Sequence, residues 1–551
     1  MFFRNFFTNF STPSIYYFYF AISLIAVCDF VFFFKSEQYG LGIFGVLACT
    51  GLFLLPVFLF TKNIRLYLIL LSPIFILIPF NLGSIIHFGV PINDASILLI
   101  LNTNINEAKE LVGGYVFRML GVVVSYLVGL IFIFKRIPNV IPLRIGYFTS
   151  FISLIVLLLL PIFDTGTKNY LANLRSRFYT VFPTSLLYAA KMTYRQYQLV
   201  NSTKEERVNF KFNAKQIVNI EGKQVYVLVM GESSRYDHWG INGYEKNTSP
   251  LLSKRENLIS FNNVMAGGFI TEYAIPLLLT GVGADNYDKH YQQKSIVSVF
   301  KEAGFSTYWL TNQVDEGHIK IHLQEADKQY LNISDFRATK HVHRDMELVE
   351  TFKKILSEPG DKKFIVLHTI GSHYDYSVRY PDKFDVLKPS NKTIFSKSAD
   401  KNFKNVLVNS YDNSIIYTDA VVDKVISLVS SQNAHSFVTY LSDHGENLFD
   451  DGRGLSQHAY PVPSKYITHI PYFVWYSPLL EKAFPNKITN LKSHINAKIS
   501  TENIIHTITS MSGIQYLKQD STKNVTSIYF KDNQQRILGA NRKVYNAADL
   551  K

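Results

Sequence analysis

An α/β domain preceded by an all-α bundle of five membrane-spanning helices is the architecture predicted by the sequence, on three observations. Apolar residues crowd into the first third of the 551 positions. They form runs close to the roughly 20 residues that a helix needs to cross a bilayer. Beyond them, short apolar runs alternate with helical patterns, as in a mainly parallel sheet covered by helices. The chain therefore reads as a membrane part at 1–163, a helical linker at the membrane surface at 164–215, and an α/β part at 216–551.

The spans are expected at 14–34, 41–60, 66–86, 114–134 and 145–163. The first is too long for a cleaved signal peptide, lacks a small-residue cleavage site and is followed at once by another span. Arg4, Lys62, Arg65, Lys135, Arg136 and Arg144 fall on one side of the predicted membrane. The opposite connections carry only Lys35 and Lys109, accompanied by Glu37, Asp94, Glu107 and Glu110. Positive residues are retained inside, so the N-terminus is expected in the cytoplasm of a bacterium and everything after about residue 164 in the periplasm. Chemistry there proceeds without cytoplasmic ATP, which makes a membrane lipid an attractive donor.

The linker is rich in Tyr, Arg, Asn and Lys and contains an amphipathic stretch at 184–191, suited to the membrane surface. The net charge of +13 comes from scattered lysines without a nucleic-acid-binding motif, and it suits an anionic membrane rather than nucleic acid. Cys28 and Cys49, the only cysteines, lie in the apolar runs, so the α/β part contains no disulfide. Apart from Asp29 and Arg118 near span ends, the spans are almost uncharged, which argues against a transporter.

In the α/β part, strands are expected at 225–230, 306–310, 364–368, 436–441 and 472–476, with helices at 295–303 and 413–430 between them. Sheets of this class place active sites at the C-terminal ends of their strands. Three of those ends carry polar clusters: Gly231-Glu232-Ser233-Ser234-Arg235, Thr369-Ile370-Gly371-Ser372-His373 and Ser442-Asp443-His444-Gly445-Glu446. Carboxylates and imidazoles converging from strand ends can hold one metal ion, and a mixed oxygen and nitrogen set suits zinc or manganese. Taken singly, each cluster is equally a helix cap, a surface histidine or a turn. Thr271 alone reads as a helix cap, placed between Gly267-Gly268 and an apolar stretch through Leu279.

As an ordered set the motifs say more. Gly231-Glu232-Ser233 with Asn242-Gly243-Tyr244, Thr271-Glu272-Tyr273-Ala274-Ile275-Pro276, Gly371-Ser372-His373, Ser442-Asp443-His444-Gly445-Glu446, His458 and His469-Ile470-Pro471 resemble the motif series of the bacterial phosphoethanolamine transferases. That family lies within the alkaline phosphatase and sulfatase superfamily and includes the lipid A-modifying enzymes behind polymyxin resistance. The resemblance extends over nearly the whole chain, spans included. It implies Glu232, Thr271, Asp443 and His444 as ligands of a catalytic zinc, with Thr271 also the nucleophile. It implies transfer of phosphoethanolamine from phosphatidylethanolamine to lipopolysaccharide through a phosphothreonine-type intermediate. His373 and His458 would manage protons and contact substrate, directly or by holding a second metal, with Glu446 assisting. Thr103 and Glu107 resemble the family's lipid head-group contacts.

Some features depart from the lipid A branch, which usually has periplasmic disulfides, a Lys near the place of Gly317-His318 and an Asn where Leu99 stands. The Trp309-Leu310-Thr311-Asn312-Gln313 segment resembles instead the branch that decorates inner-core heptose or its phosphate, so core lipopolysaccharide is the expected acceptor and lipid A phosphate the next. A monomer is expected. The rival readings are a phosphoglycerol transferase resembling the lipoteichoic acid synthases and a non-catalytic membrane scaffold.

Overall fold

The computed structural model describes residues 14–35, 39–88, 91–92, 97, 116–159, 181–313, 317–331, 343–393, 401–458, 460 and 462–550. They form two compact units, one ending at Gln196 and one running from Tyr197 onward.

The first unit is helical: α1 (Ser14–Ile25), α2 (Val27–Lys35), α3 (Tyr39–Leu54), α4 (Ile64–Phe88), α5 (Val116–Arg136), α6 (Leu143–Leu159) and the start of α7 (Thr184–Ser202). Among the described residues one stretch, Ile64–Ile86 in α4, is both long and apolar enough to cross a membrane; Ile15–Ile25, Gly45–Leu59 and Leu143–Leu159 are shorter apolar helices. The expected first span is divided between α1 and α2, and the second between α3 and a 3₁₀ turn at Leu55–Leu59 whose first turn contains proline. Phe18, Ile22, Ile64, Leu68 and Phe75 pack inside. The outward faces stay apolar, with Ile69, Leu70, Val122, Ile131, Phe151 and Leu158 exposed. Such a surface suits hydrocarbon better than water. Some polar groups are paired within the bundle: the Phe182 N–H donates to Asp29 Oδ1 at 2.9 Å, and Tyr67 Oη donates to the Phe53 carbonyl at 2.6 Å.

The second unit is built on a seven-stranded sheet. Its strands in chain order are β1 (Gln224–Gly231), β2 (Leu258–Phe261), β3 (Ser306–Thr311), β4 (Lys328–Leu331), β5 (Lys362–His368), β6 (His435–Ser442) and β7 (Tyr472–Tyr476). They lie side by side as β2-β7-β6-β1-β5-β3-β4. The pairs β1–β5, β1–β6, β3–β5 and β3–β4 are parallel, whereas β7 runs antiparallel to both β6 and β2. All five expected strands are present; the reversed direction of β7 is not encoded in an apolar run, whose pattern is the same read either way.

Strand β1 is buried along its length, and its side chains alternate between two cores. Tyr226, Leu228 and Met230 join the cluster containing Leu278 of α8 (Thr271–Thr280), Phe300 of α9 (Ile296–Glu302) and Ile508. Val225, Val227 and Val229 join Phe352 of α10 (Asp345–Leu356) and Ile415 and Val422 of α11 (Lys404–Ser430). The result is a sheet between two helical layers, with helix α9 capped by Ser295 Oγ, which accepts the Val297 N–H.

Two buried imidazoles in this unit give it an acid-sensitive stability. Burial holds His368 and His506 down to about 4. The Asp520 N–H points at His506 Nδ1 from 3.2 Å, so that nitrogen keeps its lone pair. An unfolded histidine titrates near 6.5, so the unfolded chain binds these protons more tightly. The stability that these two groups contribute is thus full above about pH 6.5, falls as pH drops toward 4, and has nothing further to lose below that. At pH 5 the two together are expected to cost roughly 4 kcal/mol. All three tryptophans, Trp239, Trp309 and Trp475, are buried in this unit. Urea unfolding followed by tryptophan fluorescence should show the midpoint falling below pH 6.5, and His506→Gln should flatten that fall; an unchanged slope would assign the acid sensitivity to other groups.

Candidate functional site

In-register pairing of β1 with β6 sets Gly231 opposite Ser442, so the next residue of each strand, Glu232 and Asp443, emerges at the same sheet edge. The two ends are tied together by the Asp443 N–H donating to the Gly231 carbonyl at 3.1 Å and the Ser233 N–H donating to Asp443 Oδ1 at 3.2 Å. Ser233 takes a left-handed conformation, φ 55°, to make this contact and to donate its hydroxyl to Glu232 Oε1 at 2.8 Å. Left-handed φ is uncommon outside glycine and clusters at functional sites.

His444 follows Asp443 and is oriented by its own backbone. Its Nδ1 lies 2.8 Å from the Gly445 carbonyl, which can only accept, so Nδ1 carries hydrogen and Nε2 is the nitrogen turned inward. Nε2 is 3.3 Å from Glu232 Oε1 and 3.4 Å from Asp443 Oδ2. Glu232, Asp443 and His444 are all buried, and one ligand atom from each lies within 4.8 Å of the others.

Thr271 opens α8. The turn before it passes close beneath the first turn of the helix: a Cβ on Gly268 would come within 3.0 Å of Tyr273 Cβ and 3.2 Å of the Ala274 amide nitrogen. Gly267 is held on both sides, its N–H donating to Thr501 Oγ1 and its carbonyl accepting the Leu538 N–H. Thr271 Oγ1 thereby reaches Glu232 Oε2 and His444 Nε2, each at 3.3 Å.

The electrostatics of this cluster call for a cation. Burial and the Glu232 charge push Asp443 up to about 8. Against its own burial, the Asp443 and Glu232 carboxylates raise His444 to about 10. Burial also opposes charge on Glu232, but the hydrogen bond and charge of His444 hold it well below the usual carboxylate range. Asp443 Oδ2 is buried without a hydrogen-bond donor. Two carboxyl groups and the imidazole Nε2 that face one another inside a protein fit a divalent ion, which would take the place of their protons, and Thr271 Oγ1 lies beside them.

Around this center, the His458 ring packs at a tilt of 46° with its centroid 4.0 Å from that of His444, and its Nδ1 meets Glu446 Oε1 at 3.1 Å. Burial raises Glu446 to about 8, and burial with the His444 charge lowers His458 well below the ordinary histidine value. His373 Nδ1 lies 2.7 Å from the Tyr374 carbonyl, leaving Nε2 as its basic nitrogen. Burial lowers His373 below the ordinary histidine value against the pull of the Glu232 charge, which places it within electrostatic reach of the cluster. Gly371 in the same loop has φ 49°, and a Cβ there would meet the Glu232 backbone N and O at 2.8 Å, so glycine is needed for that close approach. Thr103, Glu107 and Leu99 lie outside the described residues. Sequence reading missed Gln313, whose side-chain amide donates to Glu232 Oε2 at 3.0 Å; its place just past the end of β3 was the available signal. His469, part of the motif series, instead stacks on Tyr236 at 4.2 Å.

The sulfatase family matches residues 224–514. Phosphoethanolamine transferase EptC of Escherichia coli K12 is 27% identical over 544 residues, covering 94% of this chain and 91% of its own. The crystal structure of the C-terminal periplasmic domain of the Escherichia coli EptC, a complex with Zn, aligns with a TM-score of 0.55 and 27% identity over 61% of this chain and 96% of that one. The integral membrane lipooligosaccharide phosphoethanolamine transferase A of Neisseria meningitidis shares the fold, with a TM-score of 0.75 and 21% identity over 93% of this chain and 98% of that one.

Proposed function

The chain belongs to the sulfatase family, and from that premise we propose that it is a zinc-dependent inner-membrane phosphoethanolamine transferase acting on lipopolysaccharide, with its second unit in the periplasm. The observation that carries this reading is a threonine hydroxyl at a helix N-terminus, 3.3 Å from both a buried carboxylate and a buried imidazole. Similarity to EptC along 94% of the chain supplies the reaction class. Five membrane crossings with a cytoplasmic N-terminus, and a monomeric state, belong to the same proposal.

Glu232, Asp443, His444 and Thr271 would hold the ion. What zinc supplies there is positive charge against the negative charge developing on Thr271 Oγ and on the phosphoryl oxygens. Thr271 Oγ attacks the phosphorus of phosphatidylethanolamine, the bond from phosphorus to the diacylglycerol oxygen breaks, and that oxygen leaves with a proton. The Thr271 position at the start of α8 turns free backbone amides toward the transferring phosphoryl group. An acceptor oxygen on lipopolysaccharide then attacks the phosphothreonine, loses its proton and releases Thr271. His458 and His373 are the groups that exchange those protons: burial keeps both imidazoles neutral, and Glu446 orients the first of them. Thr103 and Glu107 would contact the lipid head group.

Inner-core heptose or its phosphate is the favored acceptor, on the wording of 309–313, with lipid A phosphate second. Purified zinc-loaded protein, given phosphatidylethanolamine and intact lipopolysaccharide, is expected to add one phosphoethanolamine to the core fragment, read by mass after mild acid separates core from lipid A. Addition to lipid A would correct the acceptor. Transfer from phosphatidylglycerol alone would replace the reading by phosphoglycerol transfer, and no transfer from any donor would favor a scaffold.

A further inference from the structure

We propose that Gln313 is a positioning residue that fixes the carboxylate of Glu232, turning Oε2 toward Thr271 so that the ion site exists before the ion arrives; this inference rests on the metal-site reading above. The Gln313 side-chain nitrogen has two neighbors, Glu232 Oε2 at 3.0 Å and the Thr369 carbonyl at 2.7 Å. Both are acceptors, so the amide has one sensible orientation, with its NH₂ between them. The oxygen it holds is the one that Thr271 Oγ1 reaches, whereas Glu232 Oε1 is held separately by the Ser233 hydroxyl.

Gln313 is itself well anchored. It is 9% exposed, and its N–H donates to Thr311 Oγ1 at 2.9 Å, at the last residue of β3. Its neighbor Asn312 donates to Asp345 Oδ1 at 2.8 Å, and Asp345 accepts the Ile370 and Gly371 N–H groups, each at 2.9 Å. The next residue of that loop, Ser372, donates its N–H to the Glu232 carbonyl at 3.0 Å. Glu232 is therefore braced on side chain and backbone by the loops that follow β3 and β5. The chemistry of the brace matters. Glutamate has several rotatable bonds and loses much freedom when fixed, so a carboxylate left loose would be poorly placed for ligation. A lysine in the same place would neutralize the carboxylate and compete with the ion. An amide occupies one lone pair and leaves the charge intact. Partners of this kind, hydrogen-bonded to a ligand rather than to the metal, typically alter affinity 10- to 100-fold.

The test measures zinc affinity of the detergent-purified full chain by competition with a fluorescent chelator. Gln313→Met keeps the length and removes the donor; Gln313→Asn keeps an amide too short to reach Glu232 and serves if the Met variant does not fold. Each is expected to bind zinc about 10- to 100-fold more weakly. In a Glu232→Ala background, Gln313→Met should cause no further loss, because its target is gone. Wild-type affinity in both single variants, or a full additional loss in the Glu232→Ala background, would overturn the proposal. If Glu232→Ala alone binds zinc as the wild type does, the metal-site reading fails as well; if it binds poorly while the Gln313 variants bind normally, only the present inference falls.

Discussion

Thr271→Ala is expected to keep its native mass after incubation with zinc and phosphatidylethanolamine, whereas the unaltered chain gains one phosphoethanolamine unit. The hydroxyl of this residue reaches Glu232 and His444 through two long contacts of 3.3 Å. Its removal would therefore delete the proposed attacking atom while disturbing the fold little. Transfer to an acceptor should fall by about a thousandfold or more, as when a nucleophile that acts in concert with its neighbors is deleted. The melting temperature should stay within a few degrees. Thr271→Ser should still be labeled, more slowly, because it lacks the β-branch that restricts the threonine side chain. Labeling of the Ala variant would exclude Thr271 as the nucleophile.

The second large effect is expected for Asp443→Asn, and its two consequences have opposite signs. Asp443 Oδ1 accepts N–H groups from Ser233 and His444, a role that an amide oxygen retains. The other carboxylate oxygen, buried without a donor, becomes an NH₂ facing Glu232 and His444. Zinc affinity should drop by about a thousandfold or more, since a charged ligand has been replaced by a weak one occupying the ion's place. In excess chelator, however, the variant should be more stable than wild type by about 1 kcal/mol or more, because the carboxylate is pushed up to about 8 by burial and by Glu232. Thermal melts with zinc and with chelator read both effects. Wild-type protein should gain stability with zinc, and the variant should gain almost none. A variant that is less stable in chelator and still stabilized by zinc would contradict the arrangement of charges described here.

Much of the site could be read from sequence because strand ends announce themselves. Each of β1, β5 and β6 is a run of apolar residues that stops at Gly, Ser or Thr next to an acid or imidazole, and the sheet needs no more than in-register pairing to bring Glu232, Asp443 and His444 together. Thr271 was placed by motif resemblance, since a threonine before an apolar helix otherwise reads as a cap. Gln313 escaped because its identity as a donor to Glu232 depends on how close β3 and β1 stand across β5, a spacing absent from the chain order. The N-terminal part of α11 was also missed: it starts at Lys404, ahead of the expected 413, where polar residues blur the helical stripe. The direction of β7 was hidden for the same reason as its neighbors were visible, because strand burial is symmetrical along the run.

The contact between Ser233 and Asp443 spans 210 positions of sequence. A nascent chain that has emerged only as far as β5 carries Glu232 and Thr271 but neither Asp443 nor His444, so no partial product holds the complete ligand set. Joining β1 to β6 requires closure of a very long loop, a slow and late event in folding. Capture of the proposed ion would then signal that assembly of this site has finished. Because it follows that closure, it should lengthen the lifetime of the mature protein far more than it speeds its formation.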